Sequence, residues 1–130
     1  MKLGYILIYV DDVEKTLEFY EKAFGLQIGF LHESKQYGEM RTGESKLGFV
    51  QHETAEAHGF EYQRVSLQKN AFGAEIGLVV PSAAEVESAF RKALQAGATA
   101  LSAPTAKPWG QVVSYVRDCN GYLVEICSEM

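Results

Sequence analysis

The chain has few of the residues that mark specialised classes of protein. Its 130 residues include two cysteines and three prolines, and no apolar run approaches the roughly 20 residues of a membrane span. Cys119 and Cys127 have neither zinc-site nor disulfide-framework spacing, so we expect free thiols in a reducing compartment. The start, MKLGYILIYVDD, passes from a short apolar stretch into charged residues, which is not typical of a signal peptide. We therefore expect a cytoplasmic protein without a membrane segment.

Positive charge is also scarce. Lysine and arginine together number 12 against 17 aspartates and glutamates, which gives a formal net charge of −5. An acidic balance disfavours binding to nucleic acid or to an anionic membrane surface. We therefore expect neither among the partners of this protein.

A repeat organises the chain. Residues 5–26 (YILIYVDDVEKTLEFYEKAFGL) are typical of a strand, an acidic turn and an amphipathic helix. A shift of 70 residues leads to a second copy, residues 75–96 (EIGLVVPSAAEVESAFRKALQA), in which Ile6 falls on Ile76 and Val10 on Val80. Two copies are too few for a solenoid, so they predict a pseudo-symmetric domain of two halves.

The elements of the two halves follow the same order. Capping boxes predict that the helices open at Asp11, with Glu14, and at Ser82, with Glu85. Residues 13, 17, 20 and 24 form one apolar helical stripe, and glycines 25 and 97 end the two helices. Strands are predicted at residues 4–10, 27–33, 36–42 and 46–51, and again at 75–80, 99–101, 111–117 and 122–128.

The connections complete this plan. Residues 62–67 are predicted as a short strand or an extended linker, residues 102–110 (SAPTAKPWG) as a loop, and Asn120–Gly121 as a hairpin turn. The order βαβββ, twice, predicts an α+β fold in one domain, residues 1–130. Its first module spans about 1–52, its linker about 53–72 and its second module about 73–130.

Strand alternation separates two faces in each half. Ile6, Ile8 and Val10, like their repeat partners, are predicted to lie under the helices, whereas Glu75 and Glu125 interrupt apolar strands on the opposite face. A carboxylate in the middle of a strand is costly to bury unless it is paired or liganded. The two glutamates therefore predict a shared pocket. Alternatively, each lies at a solvated rim or pairs with Arg117, Arg64 or a lysine.

Two segments resemble a known family. VDDVEKTLEFYEKAFGL (10–26) and PWGQVVSYVRDCNGYLVEI (108–126) are similar to the vicinal oxygen chelate superfamily, the group of glyoxalase I, bleomycin resistance proteins and extradiol dioxygenases. The resemblance spans essentially the whole chain, with Cys119 and Asn120 where the family usually has Pro and Asp. It implies that the two module sheets curl into an open cup around a ligand, with one helix per module on the outer face, in a homodimer.

The resemblance also implies where a divalent metal would bind. The four ligand positions of the metal-dependent members, typically His, Glu, His and Glu, fall on Tyr5, near Gly48, on Glu75 and on Glu125. Only Glu125 keeps the usual residue. The chain has three histidines, His32, His52 and His58, which we interpret as surface or turn residues. His52 is the one of most interest, because it directly follows a predicted strand.

Three functions remain open. The first is a metal-free small-molecule-binding protein that holds an aromatic or cationic ligand and needs no cofactor. Its predicted ligand-binding residues are Tyr5, Leu7, Tyr9, Gly48, Phe49, Glu75, Gly77, Trp109, Tyr115 and Glu125.

The second is a glyoxalase-related lyase or isomerase, or a dioxygenase-like enzyme. Its catalytic candidates are Glu75, Glu125 and Tyr5, and the two glutamates would suit a hard ion such as Mg²⁺ or Mn²⁺ if a metal is bound. The third is a structural or regulatory dimer with a collapsed cup, against which the small Gly48 and Gly77 argue.

Overall fold

The computed structural model describes all residues, Met1–Met130, and the chain divides into two compact units, Met1–Arg64 and Val65–Met130. The boundary between the units falls inside the predicted linker. None of the helices is long and apolar enough to cross a membrane.

The first unit is a four-stranded sheet with one main helix. The elements are β1 (Tyr5–Val10), α1 (Val13–Phe24), β2 (Gln27–Leu31), β3 (Tyr37–Arg41), β4 (Lys46–Gln51) and a short α2 (His52–Glu56). The strands are ordered β1-β4-β3-β2, with β1 parallel to β4 and the other neighbours antiparallel.

The second unit repeats this topology. The elements are β5 (Ile76–Val80), α3 (Ala83–Gln95), β6 (Thr99–Ala106), β7 (Val112–Arg117) and β8 (Leu123–Ser128). The sheet order is β5-β8-β7-β6, again with one parallel pair, β5 and β8. The predicted fold class, α+β with two βαβββ modules and open sheets, is confirmed.

The helix boundaries follow the capping chemistry, with one correction. Asp12, and not Asp11, is the N-cap of α1, because Asp12 has an extended backbone and its carboxylate accepts a hydrogen bond from the Lys15 amide at 3.0 Å. Gly25 ends α1 in the left-handed region, at a φ of 69°, as predicted. Ser82 precedes α3 as predicted, although its hydroxyl donates to the Glu85 carboxylate at 2.8 Å and caps no amide.

The core of the first unit lies between α1 and its sheet. The buried stripe of α1 includes Val13, Leu17 and Tyr20 and packs on β2, β3 and β4. Gly38 permits this contact, since a Cβ there would lie 2.7 Å from Leu17 Cδ1. Because α1 does not cover the start of β1, Ile6 is 49% exposed, and the prediction that it lies under the helix is wrong.

The second unit differs from the sequence prediction at β6. This strand continues to Ala106 through most of the predicted loop 102–110. It lies at the sheet edge, and its register shifts between Ala100 and Ser102 and between Ser102 and Thr105. An edge strand with bulges tolerates Pro104, which has no amide hydrogen to donate to the ladder.

Arg117 fixes the start of the second unit. Residues 62–67, which include the boundary between the units, form no strand. The Arg117 side chain is buried, and its guanidinium lies 5.2 Å from the centre of the Phe72 ring. It donates to the main-chain carbonyls of Ser66, Leu67, Lys69 and Gly121 and to the side-chain oxygen of Asn70. One charged side chain therefore supplies the hydrogen-bond partners of a segment that has no sheet partner.

The turn between β7 and β8 contacts the same segment that Arg117 binds. The Asp118 carboxylate accepts hydrogen bonds from the amides of Asn120 and Tyr122, and Gly121 alone of the predicted turn pair has a positive φ, 102°. A Cβ on Gly121 would lie 2.7 Å from the main-chain carbon of Ser66. Glycine is thus required here both for its backbone conformation and for the close approach of residues 66 and 67.

Candidate functional site

The candidate site lies in the second unit, on the sheet face opposite α3. Glu125 in β8 is the register partner of both Gly77 in β5 and Tyr115 in β7. Glu75 lies two residues before Gly77 and therefore shares its face. Sequence alternation thus identified the face on which these side chains meet.

Glu75 and Glu125 lie close enough for their carboxyl groups to influence each other's protonation, and the Tyr115 hydroxyl lies beside Glu75. Two carboxyl groups can share a hydrogen bond only if one of them carries a proton. Hydrogen bonding to Glu125, followed by desolvation and the Glu125 charge, raises the pKa of Glu75 to about 7, and hydrogen bonding to Tyr115 opposes this. The pair therefore holds a proton that is exchanged near neutral pH.

Cys127 belongs to the same cluster. Burial, then the charge of Glu125 and a hydrogen bond to it, raises the pKa of the Cys127 thiol to about 11. Burial also raises the pKa of the Tyr115 hydroxyl, with further contributions from the charges of Glu125 and Glu75. Both groups are therefore protonated at neutral pH, and the thiol is not poised as a nucleophile.

No cation neutralises the two glutamates. The alternative of an ion pair with Arg117 or Arg64 is wrong, since Arg117 binds the carbonyls described above and Arg64 binds Glu56 at 2.6 Å and Asp11 at 3.5 Å. No lysine lies within ion-pair distance of either glutamate. The negative charge of the pair is balanced only by the shared proton.

Gly77 leaves space beside the two glutamates. Nothing lies within 4 Å of the position that a Cβ on Gly77 would take. Trp109 of the same unit is 61% exposed in the turn before β7, and its indole nitrogen donates to the Gln111 side chain at 2.7 Å. The face around Glu125 is thus open at Gly77.

The matching face of the first unit has different chemistry. Gly48 pairs with Leu7 and with Glu39, so Glu39 takes the place that Tyr115 has in the second unit. The Glu39 carboxylate accepts a hydrogen bond from Tyr37 at 2.7 Å and lies 3.2 Å from Lys46 Nζ. Burial, then the bond to Glu39, raises the pKa of Tyr37 to about 12.

The sequence analysis did not identify Glu39 as a site residue, although strand alternation in β3 places it on this face. In β3 the two residues that face α1 are Gly38 and Met40, which leaves Tyr37 and Glu39 on the other face. Because Lys46 already neutralises this carboxylate, the first unit presents no free pair of acids.

The five predicted ligand residues of the first unit lie in different environments. Phe49 is fully buried against Tyr20 of α1, at 4.8 Å between ring centres, because alternation places it on the face opposite Gly48. The space beside Gly48 is taken by Leu7, whose Cδ2 would lie 2.7 Å from an added Cβ. Tyr5 is exposed, and Tyr9 lies 5.0 Å from Tyr62.

The interpretation of His52 as a surface residue is wrong. His52 is 3% exposed, stacks on Tyr62 and shares a 2.7 Å hydrogen bond between its Nδ1 and the Tyr62 hydroxyl. Burial, followed by the charge of Arg64, lowers its pKa. His32 lies in a turn and bonds Ser34, and His58 is exposed.

The donor set does not fit the metal that the resemblance implies. No three His, Cys, Asp or Glu side chains come together in an arrangement that could hold a metal ion. The second unit offers two carboxylates with a protonated tyrosine and a protonated thiol, and no imidazole. Zinc, nickel and iron sites of the related enzymes need imidazole donors.

Comparisons with known proteins agree with the fold. The family described as Glyoxalase/Bleomycin resistance protein/Dioxygenase superfamily matches residues 2–126. Uncharacterized protein YraH of Bacillus subtilis (strain 168) is 30% identical over 128 residues, which cover 97% of each chain.

Two solved structures show the same architecture. A glyoxalase-related enzyme from Fulvimarina pelagi has a TM-score of 0.86 at 19% identity and covers 98% of this chain and 88% of its own. A glyoxalase/bleomycin resistance protein/dioxygenase family enzyme from Burkholderia phytofirmans PsJN has a TM-score of 0.82 at 23% identity, with full coverage of both chains. At these identities the likeness shows the fold alone.

Proposed function

The chain belongs to the glyoxalase/bleomycin resistance protein/dioxygenase superfamily, and we propose that it binds a small organic cation through Glu75 and Glu125 of its second unit. The observation that supports this most directly is the closeness of two carboxyl groups that have no lysine or arginine as a counter-charge. The proposed ligand is an aromatic or alkyl ammonium compound.

The pair suits a protonated amine better than a quaternary ammonium ion. A primary ammonium group has three N–H donors and can bond to both carboxylates, whereas a quaternary nitrogen has none. The amine would displace the shared proton. The Tyr115 ring and the open surface at Gly77 would accept the apolar part of the ligand.

We propose that binding needs no divalent metal. Two carboxylates without imidazole would suit only a hard ion such as Mg²⁺ or Mn²⁺, and such ions take six or more oxygen ligands. Tyr115 and Cys127 are protonated, so they add no anionic donor.

A second candidate function is proton-transfer catalysis. A carboxyl group whose pKa is about 7 is near the optimum for a general acid or base at neutral pH, and Tyr115 beside it is a hydroxyl donor. This observation favours a lyase or isomerase that moves a proton on a small carbonyl compound. Exchange of substrate C–H hydrogens with deuterium oxide, lost in Glu75→Gln, would support it over simple binding.

We also propose a homodimer in the cytoplasm. The family resemblance supports the dimer, and the two cysteines, which form no disulfide, support a reducing compartment. Light scattering with size-exclusion chromatography checks the first proposal, and localisation of a tagged chain checks the second.

Calorimetric titration with benzylammonium, and with benzyl alcohol as its neutral counterpart, tests the main proposal. We expect binding of the cation only, and a loss of roughly tenfold or more in affinity in Glu75→Gln and in Glu125→Gln. Glu87→Gln is the matched control, because Glu87 is an exposed acid of α3 in the same unit, 3.8 Å from Arg91. Equal binding of the alcohol, or equal affinity in all variants, would refute the proposal.

Metal titration tests the proposal that binding needs no divalent metal. The protein would be incubated with Mn²⁺, Ni²⁺ or Zn²⁺, desalted and analysed for metal content. Stoichiometric metal that disappears in Glu75→Ala and Glu125→Ala would overturn the metal-free mode. Stabilisation by no member of a panel of amines and aromatic compounds would instead favour a structural dimer.

A further inference from the structure

We propose a second binding site, for quaternary ammonium compounds, in the first unit. It is a cleft of about 480 Å³ on the segment that follows β4. The residues that line it are Glu56, Gly59, Phe60, Glu61 and Tyr62. This volume lies within the range of small-molecule sites in proteins, and nothing assigned to the Glu75–Glu125 face involves these residues.

Two aromatic rings form adjacent walls of the cleft. Phe60 and Tyr62 have ring centres 6.2 Å apart and planes inclined by 51°, so their faces are not parallel. Phe60 is 49% exposed, so a large part of its ring is accessible to a ligand. Exposed aromatic faces are the surfaces to which quaternary ammonium ions bind by cation–π attraction.

The Tyr62 wall is held in place before any ligand arrives. Its hydroxyl shares the 2.7 Å hydrogen bond with buried His52, its ring stacks on the imidazole, and the Tyr9 ring lies 5.0 Å away on another element. The Phe60 ring in turn stacks on His58, at 6.3 Å and an angle of 6°. Because the rings are already ordered, little conformational entropy is lost on binding.

The charges of the lining favour a cation. Arg64 pairs with Glu56 through one carboxylate oxygen, at 2.6 and 3.1 Å, whereas Glu61 has no ion-pair partner. Glu61 therefore makes the electrostatic field in the cleft attractive to a cation. A trimethylammonium group, which is large, weakly hydrated and has no donor, fits aromatic walls in such a field better than a primary amine does.

Choline and its neutral isostere 3,3-dimethylbutan-1-ol test this proposal on the full chain. NMR titration would follow the amide resonances, with the shifts expected to be concentrated in residues 56–62 for choline and to be absent for the alcohol. We expect Phe60→Leu to weaken choline binding about fivefold or more, and Glu61→Gln to weaken it by a smaller factor.

Matched controls separate the cleft from general surface charge. Phe30→Leu removes another exposed aromatic ring, and Glu53→Gln removes an acid of α2 that does not line the cleft, so both should bind choline like the wild type. In Glu75→Gln the choline-induced shifts of residues 56–62 should be unchanged, which distinguishes this site from the one in the second unit.

Three outcomes would overturn the proposal. These are equal shifts with the alcohol, unchanged affinity in Phe60→Leu with its melting temperature preserved, and shifts that spread evenly over the acidic surface. The conservative variant Phe60→Tyr keeps an aromatic face and should restore binding, which a variant that merely disturbs folding would not do.

Discussion

Replacement of Glu75 by glutamine should change how the stability of the protein depends on pH. The native carboxyl group has a pKa of about 7, against an ordinary value of 4.5. Between these two values the folded chain keeps a proton that the unfolded chain has released. Stability therefore falls as pH rises through this window, and it is lowest above about pH 7.

The size of the effect follows from the pKa difference and from exposure. Each pKa unit corresponds to about 1.4 kcal/mol, which sets an upper limit of roughly 3 kcal/mol for this group. Glu75 is exposed, however, and solvent screening weakens interactions of exposed charges. We therefore expect the wild type to lose about 1 kcal/mol more than Glu75→Gln between pH 5 and pH 8.

Urea unfolding at the two pH values measures this difference. Groups that do not interact with Glu75 contribute equally to the wild type and the variant, so the comparison isolates the Glu75–Glu125 pair and the groups beside it. Glu87→Gln, on α3 in the same unit, should keep the pH dependence of the wild type. An equal loss of unfolding free energy in the wild type and in Glu75→Gln over this range would refute this prediction.

Three further predictions concern the second unit. Arg117→Lys should lower the free energy of unfolding by about 2 kcal/mol and expose residues 66–70 to limited proteolysis, because lysine has too few donors for the five oxygens that Arg117 binds. Gly121→Ala should cost roughly 2 kcal/mol in urea unfolding, since its Cβ would collide with residue 66 at a positive φ. Iodoacetamide at neutral pH should modify the exposed Cys119 and leave the buried Cys127 unmodified in the native protein, as mass spectrometry would show.

Each of these has a control within the chain. Arg91→Lys changes an arginine that only approaches Glu87 on the surface, and Gly73→Ala places a methyl group in open space. Both substitutions should leave the free energy of unfolding nearly unchanged. A stability loss in these controls as large as in Arg117→Lys or Gly121→Ala, or fast alkylation of native Cys127, would contradict the structural account.

The repeat made the fold predictable because it is recorded in apolar spacing and in helix-ending glycines. Alternation then placed Glu75 and Glu125 on one face, since the period of a strand is fixed whatever surrounds it. These features depend on local backbone geometry, and that geometry is what a sequence determines most directly.

The failures concern interactions between distant residues. The burial of His52 depends on Tyr62, ten residues away, and the neutralisation of Glu39 depends on Lys46 in the next strand. The extension of β6 through Pro104 depends on its being an edge strand, and the sequence does not state strand order. Partners of this kind become visible only when the chain is folded.

The pH dependence of amine affinity tests the central claim most directly. If the ammonium group replaces the proton shared by Glu75 and Glu125, only protein that has released this proton can bind the amine. The fraction of such protein rises as pH passes the pKa of about 7. Calorimetry with benzylammonium should then show an affinity gain of about tenfold between pH 6 and pH 8, with release of a proton, and no such gain in Glu75→Gln. Binding to the wild type that is independent of pH, or equally pH-dependent in Glu75→Gln, would contradict the claim.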